Sequence, residues 1–62
     1  METADKIKAA RRKAGLTQVQ LAEAVGCKQK DISRWESGVY VPTIKTLKQI
    51  AQTLKCSMDD LA

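Results

Sequence analysis

The apolar positions of this chain recur at intervals of three and four residues, which divides it into five short helical segments, each opened by its own start signal. The clearest is the fourth. Thr43 stands as its cap, and Leu47, Ile50, Ala51 and Leu54 follow the i, i+3, i+4, i+7 pattern without a break. The first segment is expected to begin near Thr3, with Asp5 in its first turn, with Ile7, Ala10, Arg11 and Ala14 on its inner face, and to end at Gly15. The second opens at Thr17, with Gln20 placed to complete a capping box, and carries Leu21, Ala22 and Val25 before Gly26. The third runs over 29–37 and is amphipathic: Ile32, Trp35 and Glu36 face one way, and Gln29, Lys30, Ser33 and Arg34 the other. Gly38 stops it. After a loop through Tyr40 and Pro42 and the fourth helix, a fifth is expected from Ser57, boxed by Asp60, with Leu61 closing the core from below. There is no internal repeat, linker or low-complexity stretch, so a single domain over 1–62 is expected.

Composition narrows this to an all-α fold. Aromatic residues make up 3%, there is no Phe, and Ala, Leu, Lys and Gln, all good helix formers, are abundant. At 62 residues a domain buries only about 60% of the surface its unfolded chain exposes, so the core must be small and efficient. Lys and Arg number 11 against 7 acids, a formal charge of +4. That is the sign expected of a protein that approaches phosphate, although many basic proteins bind no nucleic acid.

Other chemistry is poorly provided for. Cys27 and Cys56 lie far apart without metal-site spacing, and no histidine is present to complete a zinc site or act as a base. Both cysteines read as small buried apolar residues, and no metal or cofactor is expected. The chain has no nucleophile with a plausible base and no glycine-rich phosphate loop, so an enzyme is not expected. No apolar core of signal-peptide length and no membrane-spanning run is present, which points to a cytoplasmic setting.

The informative stretch is Thr17 to Gly38. Two short helices are joined there through Gly26, Cys27 and Lys28, a connection too brief for them to lie antiparallel, so they must cross steeply. That geometry holds the outer face of the second helix clear of the body, where it can enter a major groove. On that face Gln29 can present an amide to adenine, Arg34 can fork onto guanine, and Lys30 and Ser33 can serve bases or phosphates. The same residue types are common on plain solvated faces, and this helix alone does not separate the two readings.

The run LTQVQLAEAVGCKQKDISRWESG, with VPTIKTLKQIAQTLKCSMDDL after it, resembles the phage-repressor and Cro-like (XRE-like) helix-turn-helix family over nearly the whole chain. The landmarks are the Leu-Thr-Gln start at residues 16–18, Leu21-Ala22, the Ile-Ser-Arg-Trp-Glu-x-Gly run from Ile32 to Gly38, and then Pro42, Leu47, Ile50-Ala51 and Leu54. The resemblance implies a compact five-helix, lambda-repressor-like domain with the helix-turn-helix in helices 2 and 3. It also implies sequence-specific binding of a double-stranded DNA operator by a bacterial or phage-encoded transcriptional regulator, a repressor in the commonest case.

Carried over by position, the resemblance makes Gln29, Lys30, Ser33 and Arg34 base-reading residues. It places Gln18 where relatives hold a phosphate and brace the first recognition-helix residue, here Gln29. Ser37, Thr43 and Lys45 match further backbone-clamping positions, and Arg11 and Glu36 match a pair that ties the first helix to the end of the recognition helix. An arginine at an apolar-spaced position needs a partner if buried, which agrees with that pair; the alternative is an exposed Arg11 on phosphate beside Arg12 and Lys13. Trp35 reads as a structural anchor. Asp31 could accept from cytosine N4, but an acid in a first helical turn is explained by the dipole alone. The remaining lysines divide between phosphate attraction and solubility.

Three positions depart from the pattern. Lys28 stands where a capping Ser or Thr is usual, so a less firm helix start and a phosphate contact by the lysine are expected; Val19 is apolar where a charge is usual; Lys55 replaces a helix-ending glycine, which suggests a strained or different helix end. Relatives usually bind paired half-sites as dimers about 34 Å apart. Here a homodimer would have to use the fifth helix and the loop before the fourth, unless the chain is a fragment of something longer. The alternative function is a protein-interaction module of the same fold, an antitoxin or regulatory subunit, with Val19, Val39 and Tyr40 as its apolar contacts.

Overall fold

The computed structural model describes residues 2–61, with side chains from residue 3 onward. Five helices follow one another: α1 (Glu2–Lys13), α2 (Gln18–Val25), α3 (Gln29–Ser37), α4 (Ile44–Leu54) and α5 (Met58–Leu61). Local chemistry accounts for most of their ends. The Thr17 hydroxyl accepts from the Gln20 amide at 3.1 Å while the Thr17 amide donates to Gln20 Oε1 at 2.9 Å, closing the expected capping box. Ser57 and Asp60 form the same reciprocal pair ahead of α5, at 3.1 and 3.2 Å. Thr43 caps α4 by accepting from the Thr46 amide. Gly26 and Gly38 end α2 and α3 in the left-handed region, where a Cβ is unwelcome.

At the end of α4 the same geometry is imposed on a residue that dislikes it. Lys55, with φ +57°, is the one non-glycine residue at positive φ among the described residues. Its amide still donates to the end of α4, and the Cys56 amide reaches the Ala51 carbonyl at 3.0 Å. The strained helix end expected from the missing glycine is present, and costs about 1 kcal/mol.

Ile7, Leu21, Ile32, Ile50 and Leu61 are fully buried, one from each helix, so a single core is assembled from every element. Ala22, Leu47, Ala51 and Leu54 complete it. α1 packs on α3 and α5, α2 on α3 and α4, and α4 on α5. This sandwiches the inner side of α3 between α1 and α2 and leaves its other side to solvent.

Two expectations about packing need correction. Ala14 is exposed: α1 stops at Lys13, and the turn at Gly15 sends Leu16 inward in its place. Cys27 and Cys56 are half-buried against the core rather than within it. Both are free thiols, and desolvation, with nearby Asp31 and Asp60 respectively, pushes their pKa values up and keeps them protonated. Trp35, expected as a structural anchor on the inner side of α3, is half-buried and packs against the core.

Candidate nucleic-acid interface

The recognition face begins with a buried arginine. Arg11 projects inward from the last turn of α1, where only 8% of the residue is exposed, and an unpaired guanidinium there would be costly. It has a partner. Arg11 Nε donates to Glu36 Oε2 at 2.6 Å and Nη2 to Oε1 at 3.0 Å, the two-pronged geometry that suits guanidinium and carboxylate. A third bond, from Nη1 to the Leu16 carbonyl at 2.7 Å, fixes the turn after α1. Hydrogen bonding to Glu36 raises the Arg11 pKa further, outweighing the effect of burial. The ion-pair reading of Arg11 therefore holds over the exposed one.

The pair continues outward. Gln18 Nε2 donates to Glu36 Oε1 at 3.2 Å, and Gln29 Nε2 donates to Gln18 Oε1 at 2.7 Å. The direction of these bonds is dictated: an ionised carboxylate only accepts, so Gln18 must turn its NH2 to Glu36 and its oxygen to Gln29. Gln29 must then offer its NH2 to Gln18. A line of polar contacts thus runs from α1 through the end of α3 and the start of α2 to the first residue of α3, and sets the amide of Gln29. The brace between Gln18 and Gln29 was expected from resemblance. Its connection to Glu36 was not, although a glutamine at the first position of α2 and an inward-facing glutamate near the end of α3 were both legible.

Along α3, Gln29, Lys30, Ser33 and Arg34 are all exposed while Ile32 and Glu36 are buried, with Gln29 at the edge of the exposed face nearest Glu36. With nine residues the helix is about 13 Å long, comparable with the width of a major groove. Its start is only half capped. The Asp31 carboxylate accepts from the Lys28 amide at 3.3 Å, but Lys28, which has no acceptor, cannot return the bond. Asp31 is thereby accounted for by the helix start, and the Lys28 ammonium is left exposed at the rim of this face.

The remaining expected phosphate contacts divide by how their donors are used. Ser37 donates its hydroxyl to the Arg34 carbonyl at 3.0 Å, and Thr43 donates its own to Thr46 Oγ1 at 3.0 Å while capping α4. Lys45 is exposed and occupies the first turn of α4, where a cation opposes the helix dipole. Neither α2 nor α4 has an acid in its first turn, whereas α3 and α5 do. The starts of α2 and α4 are thus the helix ends best suited to an anion.

One contact had no counterpart in the sequence reading. The guanidinium of Arg34 lies over the ring of Tyr40, 5.5 Å from its centroid. The signal was present in Gly38, because a left-handed helix end folds the following residues back over the last turn.

The helix-turn-helix family matches residues 7–61. This chain belongs to that family. Among curated relatives, the helix-turn-helix domain is 38% identical over 98% of its length to the HTH-type transcriptional activator BcrR of Enterococcus faecalis, and covers 30% of that protein. It is 31% identical, again over 98% of its length, to the cryptic phage CTXphi transcriptional repressor RstR of Vibrio cholerae, and covers 54% of it. The domain therefore spans between about a third and a half of these relatives. Among solved structures it is similar to the P22 c2 repressor protein in complex with a synthetic operator, with a TM-score of 0.91 at 31% identity over 98% of this chain and 92% of that one. The five-helix, all-α, repressor-like fold is thus established. Among the described residues no helix is long and apolar enough to cross a membrane, and no cluster of side chains could hold a metal.

Proposed function

We propose that this helix-turn-helix domain is the DNA-reading part of a transcriptional regulator and binds double-stranded DNA sequence-specifically through α3 in the major groove. One observation carries the reading: α3 is held by Ile32 in the core and by Arg11 on Glu36, while four of its side chains suited to base edges stand exposed. The P22 c2 repressor, a structure of the same fold, is bound to an operator.

Gln29, with its NH2 turned toward Gln18, presents an amide to adenine, and Arg34 forks onto guanine N7 and O6. Lys30 and Ser33 read neighbouring edges. Gln18, Lys28 and Lys45 approach the phosphates, joined by Ser37 and Thr43 from their rim positions. Ser37 and Thr43 can rotate their hydroxyls onto phosphate only by giving up the bonds they make within the fold, so the lysines carry more of the attraction. The activity is binding, with no chemical step. Regulation is by repression, through occupation of an operator, and the domain works as a homodimer on paired half-sites. It acts in the cytoplasm.

The test is selection from a random duplex library with the purified chain at low and physiological salt, followed by sequencing of the retained DNA. An enriched motif is expected, in two half-sites if the dimer forms on DNA. No enrichment at either salt would overturn the reading. A second reading, a surface for a protein partner, is favoured by one observation: Val39, Val41 and Ile44 are 62–77% exposed around the start of α4. Phosphate binding loses about 0.9 log units per log unit of salt for each phosphate neutralised, whereas an apolar contact is nearly indifferent to salt.

A further inference from the structure

We propose that Tyr40 is a specificity-determining residue of this domain: its ring holds the Arg34 guanidinium in place for a guanine, although Tyr40 itself lies outside the recognition helix. The inference rests on the base-reading role of Arg34 given above.

The backbone puts Tyr40 where it can do this. The carbonyl of Arg34 accepts from the amides of Gly38, of Val39 at 3.2 Å and of Tyr40 at 3.5 Å, and from the Ser37 hydroxyl at 3.0 Å. The chain leaving α3 is thus wound back around one residue, which brings residue 40 over the side chain of residue 34. The guanidinium lies 5.5 Å from the ring centroid, within the range in which a cation is attracted to the electron-rich face of an aromatic ring. Tyr40 is 57% exposed and does not belong to the core, so hydrophobic burial does not explain its place.

What the contact does follows from the nature of arginine. A free side chain of this length has about 2 kcal/mol of rotamer entropy, much of which is lost when the fork is fixed on a base. A guanidinium already resting on a ring loses less. The attraction of a cation to a ring also leaves the N–H donors available, and among the described residues those of the Arg34 side chain meet no acceptor. The ring therefore orients the fork without competing for the bonds that distinguish guanine from other bases. Because the effect acts through one base-reading side chain, it should favour the preferred base at one position and leave the others unchanged.

The experiment uses the whole chain and the motif selected by the parent protein. Arg34→Ala first identifies the base pair that Arg34 reads, and affinities are then measured for the preferred and the substituted pair with Tyr40→Phe, Tyr40→Leu and the double variant Arg34→Ala, Tyr40→Leu. Thermal melting confirms that each variant is folded. The expected result is a two- to fivefold loss of discrimination for Tyr40→Leu at the Arg34 pair alone, about the size of an exposed cation–ring contact. Tyr40→Phe should retain discrimination, and Tyr40→Leu should add nothing once Arg34 is gone. Equal losses at every pair, an equal loss from Tyr40→Phe (the mark of a hydroxyl on phosphate), or a loss that persists without Arg34 would each overturn the proposal while leaving the Arg34 assignment intact. If Arg34→Ala relaxes no base pair, the assignment and the proposal fall together.

Discussion

The two halves of this small domain are held together by different forces. Around α4 and α5 the fixing is apolar: Leu47, Ile50, Ala51, Leu54 and Leu61 are buried on one another and on the rest of the core. Around α2 and α3, Leu21 and Ile32 supply burial, but the placing of the helices is shared with a directed chain of polar bonds from Arg11 through Glu36 and Gln18 to Gln29. Burial is non-directional and tolerates small shifts. A carboxylate that can only accept, next to amides that must then point one way, fixes orientation as well as position. The proposed reading helix lies in the half where orientation is specified.

The sharpest way to break this comparison is at Glu36. Glu36→Ala leaves Arg11 buried without its carboxylate, with only the Leu16 carbonyl to accept from it, and should lower stability by about 3–5 kcal/mol, which for a domain of this size lowers Tm by on the order of 25–40 °C. Replacing both partners, Arg11→Met with Glu36→Leu, should restore most of that stability, because a buried ion pair contributes little net energy over apolar residues of similar volume. Discrimination at the base read by Gln29 should still weaken, since Gln18 has lost the acceptor that orients it. A double variant that melts like the parent and keeps full discrimination at that position would show that the polar chain does not set orientation.

The apolar half should behave oppositely. Ile50→Ala is expected to cost about 2–5 kcal/mol in thermal or urea unfolding and to leave base discrimination by the folded fraction unchanged. A smaller effect separates base readers from phosphate contacts. Arg34→Ala should lose about 1–3 kcal/mol at one base pair, whereas Lys45→Ala should weaken all sequences alike and reduce the salt slope by about one, as titrations at several salt concentrations can tell. Smallest is a gain: Lys55→Gly relieves the left-handed strain and should raise stability by up to about 1 kcal/mol, read as a rise in Tm.

The helices were legible because their signals are local. Thr17 with Gln20, Ser57 with Asp60, and the unbroken period from Leu47 to Leu54 each specify a start or a face within a few residues. The pair between Arg11 and Glu36 was legible for another reason: a cation among apolar positions demands a partner, and the resemblance named one. Where the reading failed, the cause lay in a chain reversal. Ala14 fits the inner-face spacing of α1, but the helix ends one residue before it. The contact of Tyr40 with Arg34 depends on how tightly the backbone winds after Gly38, a matter of several converging amides and not of any spacing. The link from Gln18 to Glu36 joins residues 18 positions apart in the chain, and periodicity carries no information at that range.

The bond between Gln29 and Gln18 bears on how a domain of this kind could be retargeted to new sequences. Lys30, Ser33 and Arg34 make no side-chain hydrogen bond to the rest of the fold among the described residues, so they can be exchanged as a cassette with little consequence for the scaffold. Gln29 cannot be treated that way. Any residue grafted there must still donate to the Gln18 oxygen, and replacing it with an apolar one takes away that oxygen's donor at the start of α2. A library that varies position 29 should therefore vary position 18 with it, and one that varies position 34 should vary Tyr40 with it, while positions 30 and 33 can be varied alone.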